Sequence, residues 1–467
     1  MELTPEARTL AGVVAVVVVL WFTEALPLAV TALVGAAACV LLGVAPAKEV
    51  FRPFADPLIF LFIGSFLLAE AFRIQRLDRR LAFAVLSVPW VGERPRRLLA
   101  AVAVVSALTS AFISNTVTAA LMMAIVAGLV AAIEEAADRA SRPAPAFATS
   151  LYLCIAFAAS IGGLATPIGT PTNLIGLGFI RAELETAISF PGWCAISLPV
   201  VGVLGTVAVL VLGRLFPAGV DRLAGVSAHV AGERSRLGPW TVAQRSAAVA
   251  FGITVLLWVV PGALLGLLGQ RHPLVAWLQA RMPESVAAIV GAVLLFVLPG
   301  GRTEFGRRRP VLRWQEARID WDIVLLYGGG LALGELCFST GLAAAVGGGI
   351  QGWLPAGPWA GVALVAAAAV VAALTSEFTS NVASATMVVP VVIAVARAVG
   401  GDAVTAALAA TLAASLGFMM PVSSPCNAIV YGSGRIPLRA MMVSGAILDV
   451  VGAVVITIAL VLAGGGR

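Results

Sequence analysis

Two stretches of an otherwise apolar chain carry side chains that could hold an ion: LTSAFISNTVTAALMM, from Leu108 to Met123, and LTSEFTSNVASATMVVP, from Leu374 to Pro390. At an offset of 266 residues, Leu108, Thr109, Ser110, Phe112, Ser114, Asn115 and Ala119 meet identical residues at Leu374, Thr375, Ser376, Phe378, Ser380, Asn381 and Ala385. A repeat this dense is not chance. Downstream, TPIGTPTN (Thr166 to Asn173) lies over PVSSPCN (Pro421 to Asn427) at an offset of 254, and LIFLFIG from Leu58 aligns with DIVLLYG from Asp322 at 264. Hydroxyl, amide and carbonyl oxygens are neutral hard acceptors, the ligands that a cation such as sodium takes.

The paired prolines decide where backbone joins these side chains. Pro167 and Pro171, like Pro421 and Pro425, fall inside apolar runs. Proline removes a donor and clashes with the preceding turn, so each run is expected to break and expose carbonyls and amides, which survive at membrane depth only beside a polar cavity. Helix N-termini after the breaks would present positive dipole ends to an anion. No Lys or Arg occurs in either Ser-Asn stretch or either proline loop. An anion there would be neutralised only by co-bound cations and dipoles, and a bare charge near the midplane costs at least several kcal/mol. Substrate and cation would need each other, which is coupling.

The elements that must position these groups are membrane helices. Of 467 residues, 60% are hydrophobic and 12% charged, a composition that soluble domains do not have. Apolar windows predict helices at about 8–24, 27–46, 57–74, 148–181 and 194–217, then 245–270, 284–300, 321–342, 403–433 and 438–463. ARTLAGVVAVVVVLWF reads as a first span, not a cleavable signal. The segments at about 98–133 and 358–398 carry the Ser-Asn phrases near their centres and read as re-entrant hairpins. The fold class expected is an all-α polytopic membrane protein, an inverted repeat of two five-span halves, each with a re-entrant hairpin and a broken helix. The first repeat takes residues 1–240 (hairpin about 98–133, broken helix about 148–181), the second 241–467 (hairpin about 358–398, broken helix about 403–433). Five spans per half is an odd number, so the halves should lie upside down to each other.

The arginines agree. With residue 1 outside, 22 of the 30 basic residues fall in inner loops, as the positive-inside rule demands of a bacterial-type inner membrane protein. That placement accounts for the net charge of +6 better than nucleic acid does. RTEFGRRRPVLRWQEAR, before Ile319, reads as a basic helix on the inner surface. Cys39, Cys154, Cys194, Cys337 and Cys426 stand singly and suggest neither disulfide nor metal site.

WFTEALPLAVTAL (Trp21 to Leu33), EFTSN and PVSSPCNAIVYGSG, with the two matched motif pairs, resemble the divalent anion:sodium symporter family of dicarboxylate, citrate and sulfate transporters, over nearly the whole chain. The resemblance implies sodium ions as coupling ions and no other cofactor, one sodium site from Ser110, Ser114, Asn115 and the backbone of Gly169, and a second from Ser376, Ser380, Asn381 and the backbone of Ser423. It implies a small divalent anion, most simply a C4-dicarboxylate, held by Ser114, Asn115, Thr116 and Thr170 on one side and by Ser380, Asn381 and Ser424 on the other. It further implies a homodimer, with an elevator-like transport domain importing the anion. Two departures stand out: the additional N-terminal span of many members is not evident, and Val382 occupies a position where the family most often has Thr.

Other readings stay open. A single Ser-Asn in a membrane helix usually just bridges neighbours, and Pro167, Pro171 and Pro425 could be simple kinks; duplication favours the site. Glu24, Glu70, Glu335 and Glu377 are acids in or near membrane, functional by default, although Glu377 faces Ala111 in the repeat and so could be structural. Gly328 to Gly330 should permit close packing, and His229 and His272 read as solvated loop residues. The alternative functions are a sulfate or other inorganic anion symporter, a sodium-independent exchanger of the same fold, and a channel lined by the tips. No nucleophile and base pair or metal cluster suggests an enzyme.

Overall fold

The computed structural model describes residues 3–136, 143–269, 271–302, 308–350 and 359–464, with 352 and 357. Helices begin where the sequence supplies caps and prolines. Thr4, Asp56, Ser189 and Asp402 each accept a backbone N–H of the turn they start, and Thr241 with Gln244 forms a capping box.

In chain order the helices of the first part are α1 (Pro5–Thr23), α2 (Leu28–Leu41), α3 (Ala47–Phe51), α4 (Pro57–Ile74), α5 (Leu77–Leu86), α6 (Pro95–Ser110), α7 (Asn115–Ala136), α8 (Pro145–Gly163), α9 (Pro171–Leu184), α10 (Phe190–Leu215) and α11 (Val226–Arg236). Those of the second are α12 (Val242–Leu268), α13 (Pro273–Arg281), α14 (Glu284–Val297), α15 (Trp321–Ser339), α16 (Leu342–Ile350), α17 (Ala360–Phe378), α18 (Asn381–Ala398), α19 (Ala403–Ala413), α20 (Pro425–Tyr431) and α21 (Leu438–Gly464). Among the described residues, ten helices are long and apolar enough to cross a membrane, and α13 with α14, bent by 66°, would make an eleventh.

The chain is therefore nearly all helix, and each interrupted segment parts where the sequence reading places it. The Ser-Asn phrases sit between α6 and α7 and between α17 and α18; the proline loops sit between α8 and α9 and between α19 and α20. The arms α7, α17 and α18 are themselves long enough to span. The expected single helix at 284–300 is accompanied by the short α13, which starts at Pro273 under a His272 cap; that histidine is thus a helix cap, and His229 packs against Gly128 of α7.

One expectation fails. The basic segment before Ile319 does not form a helix over its described residues: β1 (Pro299–Arg302) pairs with β2 (Arg308–Pro310), followed by a single 3-10 turn at Trp314–Glu316. Gly301 with φ of +103° and the prolines at 299 and 310 stop helix propagation. Glu316 anchors the turn to Arg309 and Arg313 at 2.5 and 2.7 Å.

Packing places the breaks at the centre. Helix α8 is buried all round, whereas α12 and α21 show rows of exposed Val, Leu and Ile suited to lipid. Small residues allow the closest approaches. A Cβ on Gly328, Gly329 or Gly330 would strike Phe54, Ala32 and Thr386 respectively, so the triplet serves three-way packing. The interrupted elements then cross between the halves: α7 packs on α20 and α18 packs on α9, with α9 also against α19.

Candidate functional site

The two Ser-Asn tips have the same internal bond. Ser110 Oγ donates to Asn115 Oδ1 at 2.5 Å, and Ser376 Oγ to Asn381 Oδ1 at 2.8 Å. Each Asn begins its helix, and the extended Ser380 caps α18 by accepting Ala383 N–H. The sequence spaces Ser and Asn five apart so that the last turn of one arm faces the first turn of the other.

The breaks match atom for atom as well. Asn173 Nδ2 donates to the carbonyls of Gly163 and Thr166 at 2.9 and 2.8 Å, and Asn427 Nδ2 to those of Gly417 and Met420 at 2.9 Å each. These partners stand 254 apart in both cases. The amides thereby tie off carbonyls that the prolines orphan. Each tip rests on its own break through a glycine: a Cβ on Gly163 would run into the Asn115 amide, and one on Gly417 would sit 3.0 Å from Ser376 Oγ and 3.3 Å from Asn381 Oδ1. A Cβ on Gly169 would hit the Gly163 carbonyl, while at the matching position Ser423 Oγ donates to the Gly417 carbonyl at 2.5 Å.

Asn173 Oδ1 and Asn427 Oδ1 are buried without a hydrogen-bond partner. Two orphaned acceptors at matched places, beside hydroxyls and carbonyls, are a donor set that suits a monovalent cation. No group of three His, Cys, Asp or Glu side chains able to hold a metal occurs among the described residues.

The two breaks meet through Thr172 Oγ1 and Ser415 Oγ, 2.6 Å apart, and through the Phe157 and Phe418 rings. The sequence reading named neither Thr172 nor Ser415; the signal available was a hydroxyl at the second residue of α9 and another at the second residue past α19. It also missed Asp449, which lies on the distant α21 and accepts from Phe418 N–H at 3.4 Å. Glu377, its Ala111 counterpart notwithstanding, accepts from Met419 and Met420 N–H at 2.8 and 3.0 Å.

A cavity of about 840 Å³ reaches the first tip, and its lining includes Ser114 and Gly169 together with Glu70, Arg73 and Arg318. Arg73 grips Glu70 at 2.6 Å, with Arg318 at 3.9 Å. Burial pushes the carboxyl groups of Asp78 and Asp320, which also line this cavity, above their ordinary range. Of the other sequence-predicted residues, Ser110, Thr170, Ser376, Ser423 and Ser424 are buried, while Asn115, Thr116, Ser380 and Asn381 are partly open, and none of them lines this cavity. Val382 is partly buried and packs against both hydrophobic clusters of the molecule. A larger cavity, about 1090 Å³ between the 91–97 and 213–222 segments, touches no tip or break residue and has no part in the site.

Helices of membrane length surrounding two interrupted, mutually packed elements define a multi-pass integral membrane transport protein. The family is shown by the match of residues 1–464 to the family described as the sodium:sulfate symporter transmembrane region; the chain belongs to that family, the one its motifs resemble, and its place is the cytoplasmic membrane. It is 30% identical over 439 residues to the sodium-dependent dicarboxylate transporter SdcS of Staphylococcus aureus, covering 93% of this chain and 82% of that one. It is also 30% identical over 266 residues to the sodium-dependent high-affinity dicarboxylate transporter 3 of Caenorhabditis elegans, 54% of this chain and about half (47%) of the relative's length. Two solved structures share the fold: the Alcanivorax borkumensis YdaH transporter, with a TM-score of 0.54, 16% identity and coverage of 91% and 88%, and Neisseria gonorrhoeae MtrF, with 0.60, 12%, and 90% and 83%.

Proposed function

We propose that the protein is a sodium-coupled importer of a small divalent anion, a C4-dicarboxylate first among them. The observation that carries this reading is the duplicated constellation, Ser110–Asn115 on Gly163 with Asn173 and Ser376–Asn381 on Gly417 with Asn427, in which neutral oxygens outnumber donors. One sodium belongs to Ser110, Ser114, Asn115 and the Gly169 backbone, the other to Ser376, Ser380, Asn381 and the Ser423 backbone. The anion lies between the tips, held by Ser114, Asn115, Thr116 and Thr170 and by Ser380, Asn381 and Ser424, with Val382 as an apolar wall.

The mechanism follows from charge. A dianion among uncharged groups is tolerable only with cations beside it, so sodium must bind before or with it. Residues 1–240 and 241–467 form two oppositely oriented repeats, in which α6–α7 and α17–α18 enter as hairpins and turn back. Arg73 and Arg318, both of the arginine-rich side, line the cavity that reaches Ser114, which supports reading this arrangement as the inward-facing one. A transport domain of tips and breaks moves against a scaffold as an elevator, and the working unit is a homodimer. The dicarboxylate relatives support the substrate class; Val382, in place of a hydroxyl, favours keeping sulfate as the second reading. Uptake of radiolabelled succinate and sulfate into proteoliposomes, with and without a sodium gradient, tests the proposal: succinate uptake that ignores sodium overturns it.

A further inference from the structure

The largest cavity of the molecule lies apart from the tips and breaks, where α6 begins and α10 ends, and it is basic. It measures about 1090 Å³, and Arg94, Arg96, Arg97 and Arg222 line it with two acids, Glu93 and Asp221, which leaves a surplus of two positive charges. Glu93 takes Arg222 at 3.1 Å, while Arg97 lies over the Trp90 ring and donates to the Trp90 carbonyl at 3.0 Å. Trp90 is exposed, an aromatic suited to the depth of lipid headgroups. Arg94 and Arg96 are exposed too, and neither has an ion pair with a described residue.

The same two helices then change character. The cavity reaches Leu99 and Gly213, which lie against each other. From the next residue of α6 and the preceding turn of α10 an apolar groove of about 340 Å³ takes over, lined by α6 from Ala100 to Ala107, by α10 from Val201 to Leu210, and by Ala158 and Ile161 of α8. At 1.5 Å per residue this is about 10–14 Å of groove, close to the ~15 Å depth of one leaflet's hydrocarbon. No charged side chain lines it, and the hydroxyl of Thr206 is already satisfied by the Gly202 carbonyl at 2.7 Å. Val104 and Leu210 line the groove and are still about half exposed, so it is open to whatever surrounds the helices.

We propose that cavity and groove are one site for an anionic phospholipid, its phosphate among Arg94, Arg96 and Arg222 and one acyl chain along the groove between α6 and α10. Arginine pairs with phosphate through two parallel N–H donors, and basic pockets between membrane helices take anionic headgroups. A free anion would use the arginines and leave the groove without an occupant. A second copy of the chain, packed here across a two-fold axis, would set this basic cavity against its own image. A lipid satisfies both halves of the site at once. Because α6 is the first arm of the Ser110–Asn115 tip, the lipid packs on that hairpin.

This reading goes beyond transport and does not depend on it. The purified full chain, delipidated in detergent, is titrated with phosphatidylglycerol, with phosphatidylcholine of the same chains, and with glycerol 1-phosphate as the headgroup alone. Bound lipid is counted by native mass spectrometry beside a thermal melt. The expected result is phosphatidylglycerol held at least ~10-fold more tightly than phosphatidylcholine, a preference lost in the Arg94→Gln, Arg96→Gln double variant, and a tight adduct lost in Gly205→Leu. Both arginines are exposed and Arg94 makes no side-chain cap bond, so their removal leaves the fold intact. A Cβ on Gly205 meets nothing within 4 Å, so the leucine enters the groove and not a neighbour; should that variant not fold, the arginine and headgroup arms decide. Equal affinity for the two lipids, or a preference that survives the arginine variant, overturns the site. So does glycerol 1-phosphate bound as tightly as lipid, which would make it a pocket for a free anion, or a Gly205→Leu variant that changes oligomeric state with lipid binding as in wild type, which would put a second copy in the groove.

Discussion

Ser376 and Asn381 are joined by one hydrogen bond that either atom could give up to an ion. Ser376→Ala should therefore raise the sodium concentration for half-maximal uptake by ~5- to 30-fold, the value of one or two kcal/mol for a bond to a charged group, with the succinate KM rising only as sodium becomes limiting. Gly417 has φ of +96°, and its missing Cβ leaves room for both side chains. Gly417→Ala should cost about 1–2 kcal/mol of backbone strain and lose sodium-dependent stabilisation in a thermal melt; an intact sodium response would place the ion elsewhere. Val382→Thr should change the ranking of succinate against sulfate more than it changes sodium dependence, which competition assays on reconstituted protein read directly.

At the scale of elements, the breaks bind each other through Thr172 and Ser415. A double-mutant cycle with Thr172→Val and Ser415→Ala should return a coupling near the ~0.6 kcal/mol average for polar pairs in membrane helices, read as unfolding stability in detergent; a coupling of zero would mean that the breaks part in solution. The β1–β2 segment gives a second test. Burial pulls the Glu316 carboxyl up, but the Arg313 side chain and backbone with Arg309 outweigh it and hold it near about 2. A depressed carboxyl contributes stability above its unfolded value of 4.5, lost as pH falls through about 2. Protection of 308–317 from hydrogen exchange, relative to the intrinsic rate at each pH, should thus be flat across the neutral range and lower in Glu316→Gln. The element reading from sequence succeeded for the spans and interruptions because apolar length and proline both act locally. It failed over the described residues of 302–318, where an arginine-rich run read as a basic surface helix but Pro299, Gly301 and Pro310 favour a pair of antiparallel strands.

At the scale of the whole molecule, the duplicated Ser-Asn and proline motifs were legible in sequence because each is a short local pattern, and the family followed from them. Thr172 with Ser415, the glycine platforms at 163 and 417, and Asp449 were not, since each depends on elements more than two hundred residues apart or on a contact that no periodicity encodes. The central claim is that neutral oxygens in two matched halves admit an anion only in the company of sodium. Uptake of radiolabelled succinate into proteoliposomes under an inward sodium gradient, in wild type and in a Ser110→Ala, Ser376→Ala double variant, tests it most directly. The account predicts concentrative uptake that collapses when choline replaces sodium and that the double variant cannot sustain at low sodium; equal uptake in sodium and choline, or a double variant with wild-type sodium dependence, would contradict it.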